Sequence, residues 1–156
     1  MEYQGLHRHT LDPATGRVAI PARFRKITSE EANGTFVITR GLEKCLCLYP
    51  LNVWKKDTGL LKSLPYTRKS VRRVQRWMFG ESERLTFDEQ GRIIIPKHLL
   101  EYAQIENEVL LIGLVNKIEI WNPDFYHTAM AESDATLEQD LEEVEALRNK
   151  SIQPKN

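Results

Sequence analysis

Short apolar runs bounded by glycine and proline dominate the hydrophobic pattern of this 156-residue chain. Runs of this length that are rich in valine and isoleucine are typical of β-strands. Pro21 and Pro96 each follow one of these runs and suit the first turn of a short helix, predicted at 22–27 and 97–103. The predicted strands lie at 5–11, 17–20, 35–39, 45–49, 82–87, 92–95, 108–114 and 117–121.

Two other segments have helical spacing. Val71, Val74 and Met78 recur at the spacing of one helical face, and Thr67 is the predicted N-cap of this basic helix. Further on, an amphipathic and strongly acidic pattern predicts a C-terminal helix, after which residues 151–156 are expected to fray. The apolar positions of that pattern are Leu137, Leu141, Val144 and Leu147.

Two parts of the chain carry the same motif. Residues 11–21 and 87–96 share an apolar residue, an aspartate, a short gap, Gly-Arg, three apolar residues and a proline. Further landmarks between 37 and 54 recur in the same order between 109 and 126, which indicates two tandem copies of one unit. The predicted organisation is a first unit at 1–60, a connector with the basic helix at 61–80, a second unit at 81–130, and an acidic C-terminal helix and tail at 131–156.

The charges are separated along the chain, although basic and acidic residues both number 22 and the formal net charge is zero. Residues 1–100 hold 18 basic and 10 acidic side chains, whereas residues 101–156 hold 4 and 12. From Lys62 to Arg76 there are six basic residues and no acidic one. A chain polarised in this way can present one face to a polyanion. Solvation of helix surfaces is the alternative that charge alone leaves open.

The repeated turns, at 12–17 and 88–92, are the most informative feature of the sequence. An aspartate side chain can accept hydrogen bonds from backbone N–H groups two residues on, and glycine accepts positive φ. An arginine beside such a turn can bind phosphate or donate two hydrogen bonds to guanine. For one copy, an aspartate–arginine pair that merely closes a turn is the favoured interpretation, since such turns are common. Two copies at matched positions in the basic part of the chain favour nucleic acid.

Two residue pairs could in principle hold a metal ion. His7 and His9 share one face of a predicted strand, and Cys45 and Cys47 share one face of another. Neither pair has a third ligand at a diagnostic spacing, so we expect no metal and no other cofactor. The cysteines are expected to pack as small apolar side chains.

Common catalytic motifs are missing from the sequence. It contains no Gly-x-x-x-x-Gly-Lys loop, no His-Glu-x-x-His and no Gly-x-Ser-x-Gly. Asp12 and Asp88 each stand alone in their turns, whereas two-metal cleavage of nucleic acid needs clustered carboxylates. We therefore predict that the protein is not an enzyme, with a metal-dependent nuclease as the less favoured alternative.

The sequence also lacks signals for export or membrane insertion. No apolar run approaches about 18 residues, and the first five residues lack the apolar stretch of a signal peptide. Two cysteines are too few for a disulfide scaffold. These features predict a cytoplasmic protein without a membrane partner.

In the residues that carry these motifs, the sequence resembles the MraZ family, transcriptional regulators of the bacterial division and cell-wall gene cluster. The resemblance implies an α+β fold, mainly β with short helices, in which two tandem AbrB-like swapped-hairpin units form an intramolecular pseudo-dimeric β barrel, followed by a C-terminal helix. It also implies ring-like homo-oligomers that bind double-stranded DNA at short direct repeats in the operator upstream of their own cluster. The resembling segments are 11–25, 41–54, 63–80, 87–96 and 108–121.

The resemblance further implies which residues contact DNA. The family motif Asp-x-x-x-Arg matches Asp88 and Arg92, whereas four residues separate Asp12 from Arg17 in the first copy. Thr15 stands where the family usually has lysine, which removes one expected phosphate or base contact. The implied DNA-binding residues are Arg17 and Arg92, supported by Arg8, Thr15, Arg23, Arg84 and Gln90, and the loop-setting residues are Asp12, Gly16, Asp88 and Gly91.

These observations predict a sequence-specific DNA-binding transcription factor of the cytoplasm and nucleoid, which we expect to act as a repressor. An antitoxin of the same fold class is the alternative among binding proteins, and its acidic C-terminal helix would then contact the toxin. A closed homo-oligomer is expected because small β units must cover their strand edges. The predicted core comprises Val18, Ile20, Val37, Leu46, Leu48, Ile93, Ile95, Leu110, Ile118 and Ile120, and the tryptophans expected to be buried are Trp54, Trp77 and Trp121.

Overall fold

Strands and short helices alternate in the computed structural model, which describes residues 2–28 and 30–152. The strands are β1 (Tyr3–Thr10), β2 (Arg17–Ala19), β3 (Thr35–Arg40), β4 (Leu46–Pro50), β5 (Glu83–Thr86), β6 (Arg92–Ile94), β7 (Glu108–Val115) and β8 (Lys117–Trp121). The helices are α1 (Ala22–Ile27), α2 (Leu51–Ser63), α3 (Lys69–Met78), α4 (Lys97–Ala103), α5 (Pro123–Asp134) and α6 (Leu137–Ile152), with single 3₁₀ turns at Glu30–Ala32 and Leu42–Lys44. The fold is therefore mixed α+β, and the predicted strands are all present.

The helices differ from the predictions at two points. Helix α2 was not predicted; it follows β4 directly and buries Trp54 and Thr58, which lie one turn apart. The predicted N-cap Thr67 is wrong, because α3 begins at Lys69 with Arg68 as its N-cap. Thr67 lies outside the helix, in a turn closed by a 3.1 Å hydrogen bond from the Arg68 N–H to the Pro65 carbonyl.

The two copies of the repeated unit exchange strands in one six-stranded sheet. Its order is β1-β7-β8-β4-β3-β5, and all neighbouring strands are antiparallel. The first strand of each copy pairs with the third strand of the other: β1 with β7, and β5 with β3. Strands β4 and β8, one from each copy, pair at the centre. Each copy thus forms one hairpin of its own, β3 with β4 or β7 with β8, and the other copy supplies the edge strand beside it.

A second, two-stranded sheet consists of β2 and β6, again one strand from each copy. Side chains from this pair and from one face of the large sheet form the main hydrophobic core, which also includes Phe24 and Leu99 from α1 and α4. Every predicted core residue is buried. Val37 and Leu110 are buried outside this main core, and Val37 packs with Trp54 in a smaller cluster on the opposite face of the large sheet. Trp121 is buried and Trp77 is half-buried.

The chain divides into two compact units, Met1–Pro123 and Asp124–Asn156. The first contains both copies of the motif. In the second, α6 carries the predicted amphipathic pattern, but its apolar side chains are exposed. Ser151 and Ile152 continue α6, and the rest of the tail expected to fray lies outside the described residues. No helix within 2–28 and 30–152 is both long enough and apolar enough to span a membrane.

Candidate nucleic-acid interface

The ribbon of β2 and β6 presents two of the predicted DNA-binding residues on one surface. Arg17 pairs with Ile94, and Arg92 pairs with Ala19. Between these pairs, Val18 and Ile93 point into the core and are about 1% exposed. Since side chains alternate along a strand, both arginines lie on the outer face of the ribbon. We call this surface the ribbon face.

In the second loop, 88–92, the aspartate holds its arginine. The Asp88 Oδ1 atom accepts hydrogen bonds of 2.9 Å from the backbone N–H groups of Gln90 and Arg92, and Oδ2 accepts a 2.9 Å bond from the Nε–H of Arg92. The Gly91 N–H closes the turn on the Asp88 carbonyl at 3.0 Å. These donors, the Arg92 backbone N–H foremost, hold the pKa of Asp88 below its ordinary 3.8.

In the first loop, 12–17, the extra residue changes this arrangement. The Gly16 N–H closes a wider turn on the Asp12 carbonyl, at 2.8 Å, and the Asp12 carboxylate accepts a 2.9 Å bond from the Ala14 N–H. The Arg17 N–H donates to Thr15 Oγ1 at 3.2 Å. Within 2–28 and 30–152, no hydrogen bond or ion pair joins the Arg17 guanidinium to Asp12.

Each loop is also bonded to the opposite copy. The Gly16 carbonyl accepts a 2.9 Å hydrogen bond from the Ile95 N–H, and the Gly91 carbonyl accepts a 3.0 Å bond from the Ile20 N–H. Both glycines have positive φ, 78° and 75°. The glycines therefore fix the loops to the core that the two copies share, at the ends of the ribbon.

A shallow concavity of about 320 Å³ beside the ribbon brings together three of the predicted arginines. Its lining includes Arg17 from the first copy and Arg84 and Arg92 from the second, with Asp88 as the acidic residue. Arg84 lines the concavity from β5, which is an edge strand of the large sheet, and pairs there with Val37. The concavity is thus a local positive site built by both copies.

The other two predicted arginines, Arg8 and Arg23, lie outside the lining of this concavity. Arg8, on the edge strand β1, donates to Glu108 at 2.8 Å and thereby lowers the pKa of that carboxyl. Arg23 is exposed on α1, close enough to His7 to contribute to its lowered pKa, after burial and the charge of His9. Neither arginine lines the concavity.

The two polar residues at the loop tips are exposed. Thr15 uses its hydroxyl oxygen to accept the bond from Arg17, so this side chain is part of the first loop's own framework. Gln90 contributes its backbone N–H to the second loop, while its side chain is exposed to solvent.

Two residues of this surface were not predicted. Ile94 is 48% exposed on the ribbon face, although it sits in an apolar run. The alternation of β6 gives the signal, because a residue two after an outward Arg92 must also point outward. Arg25 donates from Nε to the Ile20 carbonyl at 3.2 Å, and its guanidinium lies against Gly91. No sequence pattern indicates that contact, since it joins the two copies.

The basic helix α3 has fewer side chains free to bind a polyanion than its composition indicates, because one of its arginines is engaged within the protein. Arg72 donates to the carbonyls of Tyr66 and Thr67 at 3.0 and 2.8 Å, and its guanidinium lies 5.8 Å from the centre of the Tyr66 ring. Arg73 and Arg76 on the same helix are exposed. The helix therefore offers some exposed positive charge, outside the lining of the concavity.

The histidine pair is engaged in packing and hydrogen bonding. His9 donates from Nδ1 to the Ala19 carbonyl at 2.6 Å. His7 packs edge-on against Phe24, with ring centres 5.0 Å apart. The described residues contain one cluster of three potential metal ligands, which consists of Cys45, Cys47 and Glu119.

Comparison with known proteins agrees with the two-copy geometry. The sequence model of the family described as "MraZ protein, putative antitoxin-like" matches the chain twice, over residues 3–77 and 78–148. A protein named transcriptional regulator MraZ from Halothermothrix orenii is 44% identical over 120 residues, covering 77% of this chain and 80% of that protein. One of the same name from Caldanaerobacter subterraneus is 39% identical over 141 residues, covering 90% and 95%. A third, from Thermoanaerobacter sp., is 39% identical over 143 residues, covering 92% and 96%.

These matches extend over both loops, the ribbon and the exchanged strands, at the positions where the sequence repeats. The chain belongs to the MraZ family of transcriptional regulators.

Proposed function

We propose that the protein regulates transcription by binding double-stranded DNA through the ribbon face and the two loops at its ends. The observation that carries this proposal is the convergence of Arg17, Arg84 and Arg92, from both copies, on one concavity. The major groove of B-DNA admits a two-stranded β-ribbon, and guanine presents two acceptors there that match a guanidinium. The ribbon of β2 and β6 has the right form to enter it.

The second loop is suited to reading bases. Arg92 donates to Asp88 from Nε, so hydrogens on its two terminal nitrogens remain that can donate to guanine O6 and N7. The carboxylate fixes the guanidinium before DNA arrives, so less side-chain entropy is lost on binding. Ile94, exposed on the same face, can contact a thymine methyl group.

Other residues would position the protein on the backbone. Arg8, Arg23 and Arg84 are exposed and can donate to phosphate, as can the side chain of Gln90 and the backbone near Thr15. Such contacts supply affinity that falls with salt and carries no sequence information. Arg8 would exchange its bond with Glu108 for one with phosphate.

The operator and the assembly follow from the family resemblance. One chain has one ribbon face, so short direct repeats in an operator would be read by several chains, and their linkage multiplies affinity. We accordingly propose a ring-like homo-oligomer, a nucleoid location and repression of the division and cell-wall cluster. The exchange of β1 and β5 supports the intramolecular pseudo-dimer with swapped hairpins.

The test is binding of the DNA upstream of the gene at two salt concentrations by the wild type, Arg17→Ala and Arg92→Ala. Each substitution should cost about 1–3 kcal/mol of binding free energy and relax the preference for specific bases. Arg73→Ala is the matched control, because it removes the same charge from an exposed position on α3. It should weaken binding to all sequences alike or not at all. Wild-type affinity and specificity in both loop variants would refute the proposal.

A further inference from the structure

The face of the large sheet away from the ribbon carries a second cluster of reactive side chains. The core-facing residues of β4 and β8 are leucines and isoleucines, which pack towards the ribbon. On the other face, Cys47 of the first copy lies directly across the central strand pair from Glu119 of the second copy. Cys45, two residues before Cys47, is on the same side. We call these three residues the thiol cluster.

The thiol cluster has the geometry of a metal site. The two sulfurs and a Glu119 carboxylate oxygen all lie within 4.8 Å of one another. Ligand atoms around a tetrahedral zinc ion are roughly 3.5–4 Å apart, so a contraction of about 1 Å or less would bring the three atoms to ligand distances. Both thiols are free and buried.

Gly41 leaves the space that the sulfurs occupy. A Cβ at this residue would lie 2.6 Å from Cys45 Sγ and 3.0 Å from Cys47 Sγ. Its φ is −99°, a value that any residue can adopt, so the backbone does not require glycine here. The absence of a side chain at Gly41 therefore serves the packing of the two sulfurs.

The surroundings of the thiol cluster orient its members. Trp121 donates from Nε1 to Glu119 Oε1 at 2.9 Å, which fixes the carboxylate. The Cys45 thiol lies 3.1 Å from the Leu42 carbonyl. The bond to Leu42 would be lost with the thiol proton when zinc binds, whereas the bond from Trp121 to the carboxylate would remain, and hydrogen-bonded carboxylates are characteristic of metal sites.

We propose that Cys45, Cys47 and Glu119 bind one zinc ion, with a water molecule as the fourth ligand. Two thiolates and a carboxylate suit a borderline-soft divalent cation better than magnesium or calcium, which prefer all-oxygen sites. No third ligand lies near the cysteines along the chain, because Glu119 comes from the other copy. The proposal stands independently of DNA binding, since the cluster lies on the opposite side of the sheet from the ribbon.

Such an ion would join the two copies at the centre of the fold. It would bridge β4 and β8, the strands through which the halves of the large sheet meet. Metal that binds only the folded chain stabilises it by mass action. Zinc would therefore raise the melting temperature without touching the ribbon face.

The experiment uses the full-length protein, reduced and freed of metal, in equilibrium dialysis against zinc, with cobalt as a spectroscopic probe of thiolate ligation. The variants are Cys47→Ser and Glu119→Gln. Glutamine keeps an acceptor for Trp121 but removes the charge. Glu83→Gln is the matched control, because it removes the same charge from an exposed residue outside the thiol cluster. Glu83 pairs with Ile38, whose side chain lies in the main core, so Glu83 is on the other face of the sheet from the thiol cluster. Circular dichroism checks that each variant is folded.

We expect one zinc ion per chain and a thiolate-to-cobalt charge-transfer band in the wild type and in Glu83→Gln. Cys47→Ser should lose stoichiometric binding, and Glu119→Gln should bind zinc about tenfold more weakly or worse. Binding well below one ion per chain would overturn the proposal. So would stoichiometric binding that is unchanged in Glu119→Gln, which keeps the test valid if Cys47→Ser fails to fold.

Discussion

The two loops at the ends of the ribbon share one motif but hold their arginines differently. In the second loop, three residues separate Asp88 from Arg92, and the carboxylate accepts from both the backbone and the side chain of that arginine. In the first loop, four residues separate Asp12 from Arg17, and the carboxylate accepts from the Ala14 N–H. The two loops differ in length by one residue, and only in the shorter loop does the aspartate hold the arginine side chain.

The comparison shows how loop length sets the character of a contact. A guanidinium fixed before binding loses less entropy and presents its donors in one geometry, which favours discrimination between bases. A guanidinium that is not fixed can adapt to phosphate or to several bases. We therefore expect the second loop to contribute more specificity per arginine than the first.

The largest effect should come from filling the space at the loop glycines. In Gly16→Ala, the new Cβ would lie 2.6 Å from the Ile95 carbonyl oxygen, which belongs to the backbone, at a φ of 78°. In Gly91→Ala, the new Cβ would meet the Arg25 guanidinium, which can move away. We expect the free energy of unfolding to fall by roughly 3 kcal/mol for Gly16→Ala and by about 1 kcal/mol for Gly91→Ala.

Urea denaturation of both variants measures this difference. Arg25→Ala combined with Gly91→Ala is the internal control, since it removes the side chain that the new methyl group would displace. Equal losses in the two single variants would show that positive φ alone, and not the approach of the opposite copy, determines the cost.

The next effect should distinguish the two aspartates. Asp88→Asn and Asp12→Asn remove the same charge from DNA-facing loops, so both should raise affinity for random DNA to a similar extent. Only at Asp88 does the substitution affect an arginine side chain, because the single amide oxygen cannot accept both from the backbone N–H groups and from Arg92 Nε. We expect it to reduce the ratio of operator to random-DNA affinity by about 0.5–1.5 kcal/mol, the cost of ordering a free side chain.

Fluorescence anisotropy with operator and scrambled duplexes provides both affinities. A larger loss of specificity in Asp12→Asn than in Asp88→Asn would reverse the proposed ranking of the loops.

A smaller effect should follow from making the first loop resemble the second. Deletion of Ala14 leaves Asp-Pro-Thr-Gly-Arg, with proline and glycine at the second and fourth turn positions that a type I turn favours. Arg17 should then reach Asp12, and its Nε–H signal should become protected from solvent exchange in NMR spectra. We expect operator affinity to change by about 1 kcal/mol or less. An Arg17 Nε–H that still exchanges freely would show that spacing alone does not explain the difference.

The smallest predicted effect is the pH dependence of the stabilisation that Asp88 provides. The pKa of Asp88 is held below 3.8 by the bonds from Arg92 and Gln90, so the charged form is favoured in the folded state. The stabilisation is fully present above the ordinary pKa and is lost as pH falls through the lowered value. Titration of the Asp88 carboxyl carbon by NMR should give a midpoint below 3.8, and Arg92→Ala should raise it. A midpoint that Arg92→Ala leaves unchanged would contradict the bond.

Much of the fold could be predicted from the sequence, because its signals are local. The β-branched runs gave the strands, and Pro21 and Pro96 gave the starts of α1 and α4. Helix α2 was missed because its first turn follows β4 without a break and only Trp54 and Thr58 are buried. The exchange of β1 and β5 between the copies pairs strands that are distant in sequence, so no local pattern predicts it.

The site was less accessible to sequence reasoning. The repeated turns identified both loops, but the bond from Arg92 to Asp88 depends on side-chain geometry. Arg84 and Arg17 line the same concavity. This proximity depends on the pairing of β5 with β3, two strands that are distant in sequence. Glu119 likewise joined the cysteines only through the pairing of β4 with β8.

The central claim, that the ribbon face contacts DNA, is tested most directly by chemical modification of arginines with and without operator duplex, followed by mass spectrometry. Bound DNA should protect Arg17, Arg84 and Arg92, and the modification of Arg73 and Arg76 on α3 should be unchanged. Protection of Arg73 and Arg76, with Arg17 and Arg92 modified equally in both samples, would contradict the account and assign DNA binding to the basic helix.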